Sequence, residues 1–247
     1  MNTIYVGIDI AKTSFTLAIP QPNGRFLDYT LANTQAGFGQ LGKLLPAHSH
    51  CVMEASGPYY LPLALWLTQQ DLPLSVVNPL VVRRFSQMLL RRTKTDKADA
   101  RLLSQFGANQ RPQLWQAPTQ LMSQLTQLQT LLEQYVKQRT ALRNQQESFS
   151  HSGVANPILE QSLQKSLDHL DEQIQTLEKQ LDQLATTEYP RLYAHLRSIP
   201  GVGAKTALCL LVLSRGFRRF ASAKQLVSFA GLAPRVFESG SSVKGKG

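Results

Sequence analysis

Short apolar runs, spaced by turn residues, dominate the first hundred residues, and longer helical repeats dominate the remainder of the chain. Ile4-Tyr5-Val6-Gly7-Ile8-Asp9-Ile10-Ala11 reads as a central strand, built from β-branched and aromatic residues. Ser14-Phe15-Thr16-Leu17-Ala18-Ile19 and Arg25-Phe26-Leu27-Asp28-Tyr29-Thr30-Leu31 are two more strands, joined by a Pro22-Asn23-Gly24 turn whose Asn-Gly pair is a strong hairpin signal. Thr34 caps a helix that Pro46 ends after Leu45. A strand over Cys51–Ala55 carries Glu54 and closes at Gly57-Pro58. A helix over Tyr60–Gln70, a strand over Leu74–Val77, a helix from Asn78-Pro79 to about Leu90 and another from near Thr95 complete the segment. Antiparallel strands followed by alternating helices and strands predict a mixed sheet covered by helices.

Composition changes after Pro112, where the chain becomes rich in Gln and Leu. Leu121, Leu125, Leu128, Leu132, Tyr135 and Leu142 follow four- and three-residue steps, with Arg139 filling one seam position. Leu163, Leu167, Leu170, Ile174, Leu177, Leu181 and Leu184 repeat the pattern more cleanly. These are coiled-coil seams; an antiparallel hairpin, a dimerising pair and two helices of an ordinary bundle all satisfy them. The expected organisation is an α/β domain over 1–112, a helical spacer or dimerisation region over 113–189, and a small helical domain over 190–247.

The net charge of +10 and the sequence pI near 9.8 point to an anionic partner, nucleic acid before a membrane surface. No apolar run approaches the roughly 20 residues needed to span a bilayer, and Ala207–Leu213 reads as a buried helix. The amino terminus lacks the pattern of a signal peptide. Cys51 and Cys209, each in an apolar run, read as reduced buried thiols of a cytoplasmic protein. His48 and His50 have no flanking ligands at zinc spacing.

The chemistry centres on acids. Asp9 interrupts an apolar strand, Glu54 ends another, and Asp96 and Asp99 share one face of a helical first turn. Taken singly, Asp96 and Asp99 imitate a capping box, Glu54 is a strand-end acid and Asp9 a turn former. Taken together, acids late in sheet strands and acids opening a helix form a cluster that only a divalent cation stabilises. An all-oxygen ligand set favours Mg²⁺ or Mn²⁺, and paired ions of this kind serve phosphodiester cleavage. Further along, Ile199-Pro200-Gly201-Val202-Gly203-Ala204-Lys205 reads as a helix end, a Gly-x-Gly turn and a new helix. It is similar to a helix-hairpin-helix element, which grips a nucleic-acid backbone. Gly201, Gly203, Lys205, Arg215, Arg218, Arg219 and Lys224 are its candidate DNA contacts. The tail from Ser239 to Gly247 reads as flexible and basic.

The order of Gly7-Ile8-Asp9-Ile10-Ala11-Lys12, Glu54-Ala55-Ser56-Gly57, Asn78-Pro79 and Lys94-Thr95-Asp96-Lys97-Ala98-Asp99-Ala100-Arg101 resembles the DEDD transposases of bacterial insertion sequences, relatives of the Piv DNA invertase. Ile199-Pro200-Gly201-Val202-Gly203, Phe229-Ala230-Gly231-Leu232-Ala233-Pro234 and Glu238-Ser239-Gly240 extend the resemblance over nearly the whole chain. The resemblance implies a RuvC-like α/β domain, with Asp9, Glu54, Asp96 and Asp99 as metal-binding acids. It also implies Ser239 as the nucleophile that joins DNA covalently, and a structured guide RNA that selects donor and target. A homo-oligomer is the expected assembly. Family members usually continue with basic helices beyond the Ser-Gly motif, so a chain ending at Gly247 reads as shortened at its carboxyl end.

The expected function is Mg²⁺-dependent DNA strand cleavage and exchange through a phosphoserine link. Two rivals stand beside it: a RuvC-like nuclease or junction resolvase in which water attacks, and a shortened chain that binds nucleic acid without catalysis. A sugar-kinase-like ATPase, hinted at by Val6-Gly7-Ile8-Asp9, lacks a second glycine-rich phosphate loop in the sheet region.

Overall fold

A computed structural model describes residues 3–90, 95–151, 153–154 and 156–233, and the backbone of 237–239 and 243–245. The chain forms two compact units, Met1–Ala117 and Pro118–Gly247.

The first unit is a mixed five-stranded sheet of order β3-β2-β1-β4-β5, made of β1 (Ile4–Ile10), β2 (Ser14–Pro20), β3 (Phe26–Ala32), β4 (Ser49–Glu54) and β5 (Leu74–Val77). The first three strands pair antiparallel; β1–β4 and β4–β5 pair parallel. The Asn-Gly turn forms as expected: Gly24 takes φ +77°, a conformation glycine adopts without strain, and Asn23 Oδ1 accepts from Arg25 N at 3.0 Å.

Alternation along the strands divides the side chains between two cores. One face carries Val6, Ile8, Leu17, Ile19, Cys51 and Met53, and packs on Phe38 and Leu41 of α1 (Gln35–Leu44) and on Leu63 and Leu67 of α2 (Leu61–Gln69). The other face carries Tyr5 and Val52, and packs on Val82 and Phe85 of α3 (Pro79–Met88) and on Leu102, Leu103 and Phe106 of α4 (Asp96–Gln110). Each such side chain, once fully buried, contributes about 1.5–3 kcal/mol through apolar surface removed from water. Cys51 is fully buried and its thiol is pushed up to about 12, as an inert core residue.

The break after Pro112 falls later than the composition change implied, because the following residues bind the sheet edge. Trp115 N donates to Leu74 O at 2.7 Å. Ser75 Oγ lies 2.7 Å from Gln113 O, 3.0 Å from Pro112 O and 2.8 Å from His50 Nε2. The first unit therefore reaches Ala117.

In the second unit, α5 (Gln120–Ser150) and α6 (Pro157–Glu188) run antiparallel, as the cross-pairs Arg139–Asp171 and Gln146–Gln164 require. Arg139 interrupts the apolar seam and is met there by Asp171 at 2.7 Å, which also accepts from Arg143 at 3.1 Å. The hairpin then shares one core with the helices that succeed it, α7 (Pro190–Ser198) and α8 (Ala204–Leu213): Leu125, Leu132, Ile174, Leu177 and Leu181 pack with Leu196, Leu208 and Leu211. These helices complete the hairpin's core, so Pro118–Gly247 is one compact unit. After α9 (Ala223–Phe229), the tail departs from the flexible expectation. Its backbone folds into a two-stranded antiparallel ribbon of β6 (Phe237–Ser239) and β7 (Val243–Gly245), with Glu238 opposite Lys244.

Candidate active site

The geometry of the acids follows from one helix lying unusually close to one strand. A Cβ added to Gly7 would stand 1.9 Å from Ala100 O and 2.4 Å from Ser104 N, so the backbone of α4 rests on β1 where only glycine leaves room. A Cβ on Gly107 would meet Tyr5 and Val52 side chains at 2.7 Å. Ser104 Oγ donates to Tyr5 O at 2.6 Å. Ala100 thus lies over Gly7 and Gly107 over Tyr5, so α4 runs antiparallel to β1 and its amino-terminal turn overhangs the strand's carboxyl end.

Strand periodicity then decides which acids face that turn. Asp9 is two residues beyond Gly7, and Glu54 is two beyond Val52; both belong to the face on which α4 packs. The parallel register Ile8↔Met53 carries forward to bring Asp9 beside Glu54 on neighbouring strands. Asp96 and Asp99 occupy the first turn of α4. The Asp9 carboxyl is accordingly pushed up to about 6, first by burial and then by the negative charges of Asp99, Asp96 and Glu54.

The capping alternative for Asp96 is settled against it. Thr95 is the N-cap, in extended conformation, and its hydroxyl accepts from Ala98 N at 3.2 Å. Asp96 and Asp99 come after it, inside the helix, where the amino-terminal dipole favours carboxylates.

The four acids therefore share a neighbourhood. They do not stand as a closed cage: among the described residues, no three His, Cys, Asp or Glu side chains converge closely enough to hold a metal ion as they lie. The donor chemistry nonetheless fits a hard divalent cation, since an oxygen-only set whose Asp9 carboxyl is lifted by burial and then by its acidic neighbours is what a cation would relieve.

Two neighbours escaped the sequence reading. Asn33 Nδ2 donates to Ala11 O and to Tyr59 O, each at 3.1 Å, tying the loop after Asp9 to the loop after Glu54. Arg101 pairs with Asp28, Nε donating to Oδ1 at 3.0 Å and Nη2 contacting Oδ2. A lone charge in strand β3 was the one available signal for the second; nothing in spacing marked the first.

The candidate DNA contacts divide. Residues 199–203 form the expected turn between α7 and α8, with Gly201 at φ +85° and Gly203 as the N-cap of α8. Lys205 is exposed yet ion-paired with Glu178 at 2.7 Å. Arg219 stacks over Phe229 with its guanidinium 4.4 Å from the ring centre, and over Phe220 at 5.7 Å, in a local structural role. Arg218 and Lys224 are exposed. Ser239 lies in β6, and its side chain is outside the described residues. No helix among the described residues is long and apolar enough to cross a membrane.

Comparison with known proteins identifies the family. A transposase family profile of the IS110 DEDD type matches residues 6–149, and that of the transposase IS116/IS110/IS902 family matches residues 193–247. The pilin gene-inverting protein of Moraxella bovis is 36% identical over 251 residues, covering 98% of this chain and 76% of that protein. Its counterpart in Moraxella lacunata matches equally. An insertion element IS110 uncharacterized 43.6 kDa protein of Streptomyces coelicolor is 42% identical over 89 residues, 36% of this chain and 22% of that protein. Among solved structures, T. thermophilus RuvC in complex with a Holliday junction substrate aligns at a TM-score of 0.32 and 14% identity, covering 44% of this chain and 96% of that one. The chain belongs to the IS110 family of transposases, enzymes of DNA transposition and recombination.

Proposed function

We propose that this transposase cleaves and exchanges DNA strands at a divalent-metal site formed by Asp9, Glu54, Asp96 and Asp99, through a covalent link at Ser239. The observation that carries the reading is geometric: Asp9 and Glu54 end neighbouring strands on the face that α4 covers, with Asp96 and Asp99 in that helix's first turn, and the half-buried Asp9 carboxyl is pushed up first by burial and then by those three acids. Mg²⁺ or Mn²⁺, when bound, would supply charge stabilisation at the scissile phosphate. The acids hold and orient it, and Asp9, whose proton affinity is raised by burial and by its neighbours, must lose its proton to do so.

In the covalent step, Ser239 Oγ forms a bond to phosphorus, the bond from phosphorus to the departing sugar oxygen breaks, and the hydroxyl proton passes to that oxygen. Attack on the phosphoserine by the freed hydroxyl of another strand then forms the new phosphodiester, breaks the bond from phosphorus to Ser239 Oγ and returns a proton to the serine, which completes the exchange. Support for Ser239 comes from the Glu238-Ser239-Gly240 motif within the matched family segment. The net charge of +10 supports DNA as the partner. A structured guide RNA and a homo-oligomer belong to the same proposal, by resemblance to the family. So do a RuvC-like fold for the first unit and coiled-coil packing of α5 with α6, the latter supported by the buried Leu167, Ile174, Leu177 and Leu181.

The deciding experiment is incubation of supercoiled element-end DNA with the full chain and Mg²⁺, followed by denaturing electrophoresis. A protein–DNA adduct that requires both Ser239 and Asp9 carries the proposal. Cleavage without an adduct would leave water as the nucleophile, and binding without cleavage would leave a non-catalytic chain.

A further inference from the structure

We infer that Arg101, through its ion pair with Asp28, is a positioning residue that sets where Asp96 and Asp99 stand against Asp9. This inference rests on the reading that the four acids hold a divalent cation.

Asp9 and Glu54 sit on hydrogen-bonded neighbouring strands, so the ladder itself fixes their separation. Asp96 and Asp99 have no such constraint. They ride on a helix, and no ladder bond fixes its rotation or slide across the sheet. The fit of Ala100 over Gly7 sets the height of α4, and Ser104 to Tyr5 O pins it further along. Both contacts lie on β1, while Gly107 against Tyr5 and Val52 and Phe106 against Phe85 hold the carboxyl-terminal half of the helix.

Arg101 ties the amino-terminal half of the helix to the far side of the sheet. The register places Asp28 opposite Ala18, and Ala18 opposite Gly7, so Asp28 lies in the same row as the helix–strand contact, two strands away. Arg101 comes directly after Ala100 and reaches along this row. Its guanidinium meets the Asp28 carboxylate through two nitrogens and lies 5.8 Å from the Phe26 ring centre. A two-point planar pair fixes direction as well as distance, which a lysine ammonium does not.

Burial separates positioning from plain stabilisation. The Asp28 side chain is 9% exposed, whereas that of Arg101 is 43% exposed. Arg101→Gln leaves the Asp28 carboxylate without its counter-charge, at a cost to stability, whereas Arg101→Lys keeps the charge and loses only the planar two-point geometry. The charge of Arg101 is matched by Asp28, so Arg101 acts on the acids through geometry rather than as their counter-ion.

The test is Mn²⁺ binding to the full chain, followed by the electron paramagnetic resonance of free Mn²⁺, with the melting midpoint of the metal-free protein measured alongside. Wild type is expected to bind and Asp9→Asn to lose binding. Arg101→Lys is expected to weaken binding about tenfold, the scale of an outer-shell loss, with the midpoint near wild type, and Arg101→Gln to weaken it as much with a lowered midpoint. Wild-type affinity in Arg101→Gln or in Arg101→Lys, with Asp9→Asn still defective, overturns the positioning role and leaves the site standing. Weakened binding in Arg101→Lys that tracks a lowered midpoint overturns it as well. A wild-type chain without Mn²⁺ binding, or an Asp9→Asn chain that binds normally, overturns the site and the inference together.

Discussion

Gly7 and Ala100 are in backbone contact: the Ala100 carbonyl oxygen occupies the space a side chain at Gly7 would need, 1.9 Å from its Cβ position. The whole candidate site depends on this closeness, because it brings the first turn of α4 over the end of β1. Gly7→Ala is therefore expected to push α4 away and to cost about 3 kcal/mol, the upper range for overpacking. Since Asp96 and Asp99 retreat with the helix, the Asp9 carboxyl should also fall back toward its ordinary range. Chemical denaturation measures the first effect, and carboxyl-resolved NMR titration the second. An Asp9 that titrates as in wild type would separate its raised affinity from α4.

Asp9→Asn removes one carboxylate of the proposed metal site and the repulsion it suffers from its neighbours. The expected result is loss of Mg²⁺-dependent cleavage by about a thousandfold, several kcal/mol of barrier, with DNA binding kept. The metal-free variant should melt no lower than wild type. Strand cleavage at wild-type rate would remove Asp9 from the mechanism.

The same carboxyl gives stability a pH dependence of definite sign. Its proton affinity is raised on folding, from an ordinary 3.8 to about 6, so between those values the folded chain holds more of this proton than the unfolded chain. The contribution of Asp9 to stability therefore falls as pH rises through that window, and levels off above about 6. Denaturation from pH 4 to 7 without metal should show this decline in wild type and its loss in Asp9→Asn. Mn²⁺ affinity should rise over the same window, since the cation displaces the proton.

Ser239→Ala tests the covalent step alone. Binding to DNA should be unchanged within about twofold, since affinity for the backbone comes from cationic side chains and not from this hydroxyl. The adduct on denaturing gels should vanish. An adduct that persists assigns the link to another residue.

Lys205 and Arg218 should differ as DNA contacts. Lys205 is already paired with Glu178, whereas Arg218 projects from the basic stretch after α8. Arg218→Ala is expected to reduce the salt dependence of DNA affinity by about one unit of slope, and Lys205→Ala by less. Fluorescence anisotropy across a salt series distinguishes them. Equal slopes for both would mean that DNA displaces Glu178.

Much of this molecule was legible residue by residue. The Asn23-Gly24 turn, the strand runs and the seam leucines act through local backbone preference and periodicity, which need no knowledge of distant neighbours. The order of motifs likewise placed the chain among transposases before any coordinates. The tail was misread, because Ser, Gly and Lys imply flexibility only until Phe237–Ser239 and Val243–Gly245 pair. The capping-box alternative for Asp96 also failed, because Thr95 one residue earlier takes the hydrogen bond from Ala98 N, a partner that sequence does not reveal.

The sequence by itself determined which acids exist, which strands and helices bear them and what chemistry an oxygen-only set prefers. Only the tertiary structure decided that Asp9 and Glu54 share a sheet face and that α4 delivers Asp96 and Asp99 to it. It alone revealed Asn33 across the loops, Arg101 on Asp28, and Lys205 drawn to Glu178. The physical reason is that local preferences act between neighbours in the chain, whereas register, helix-on-sheet fit and long-range ion pairs form between segments that sequence keeps far apart.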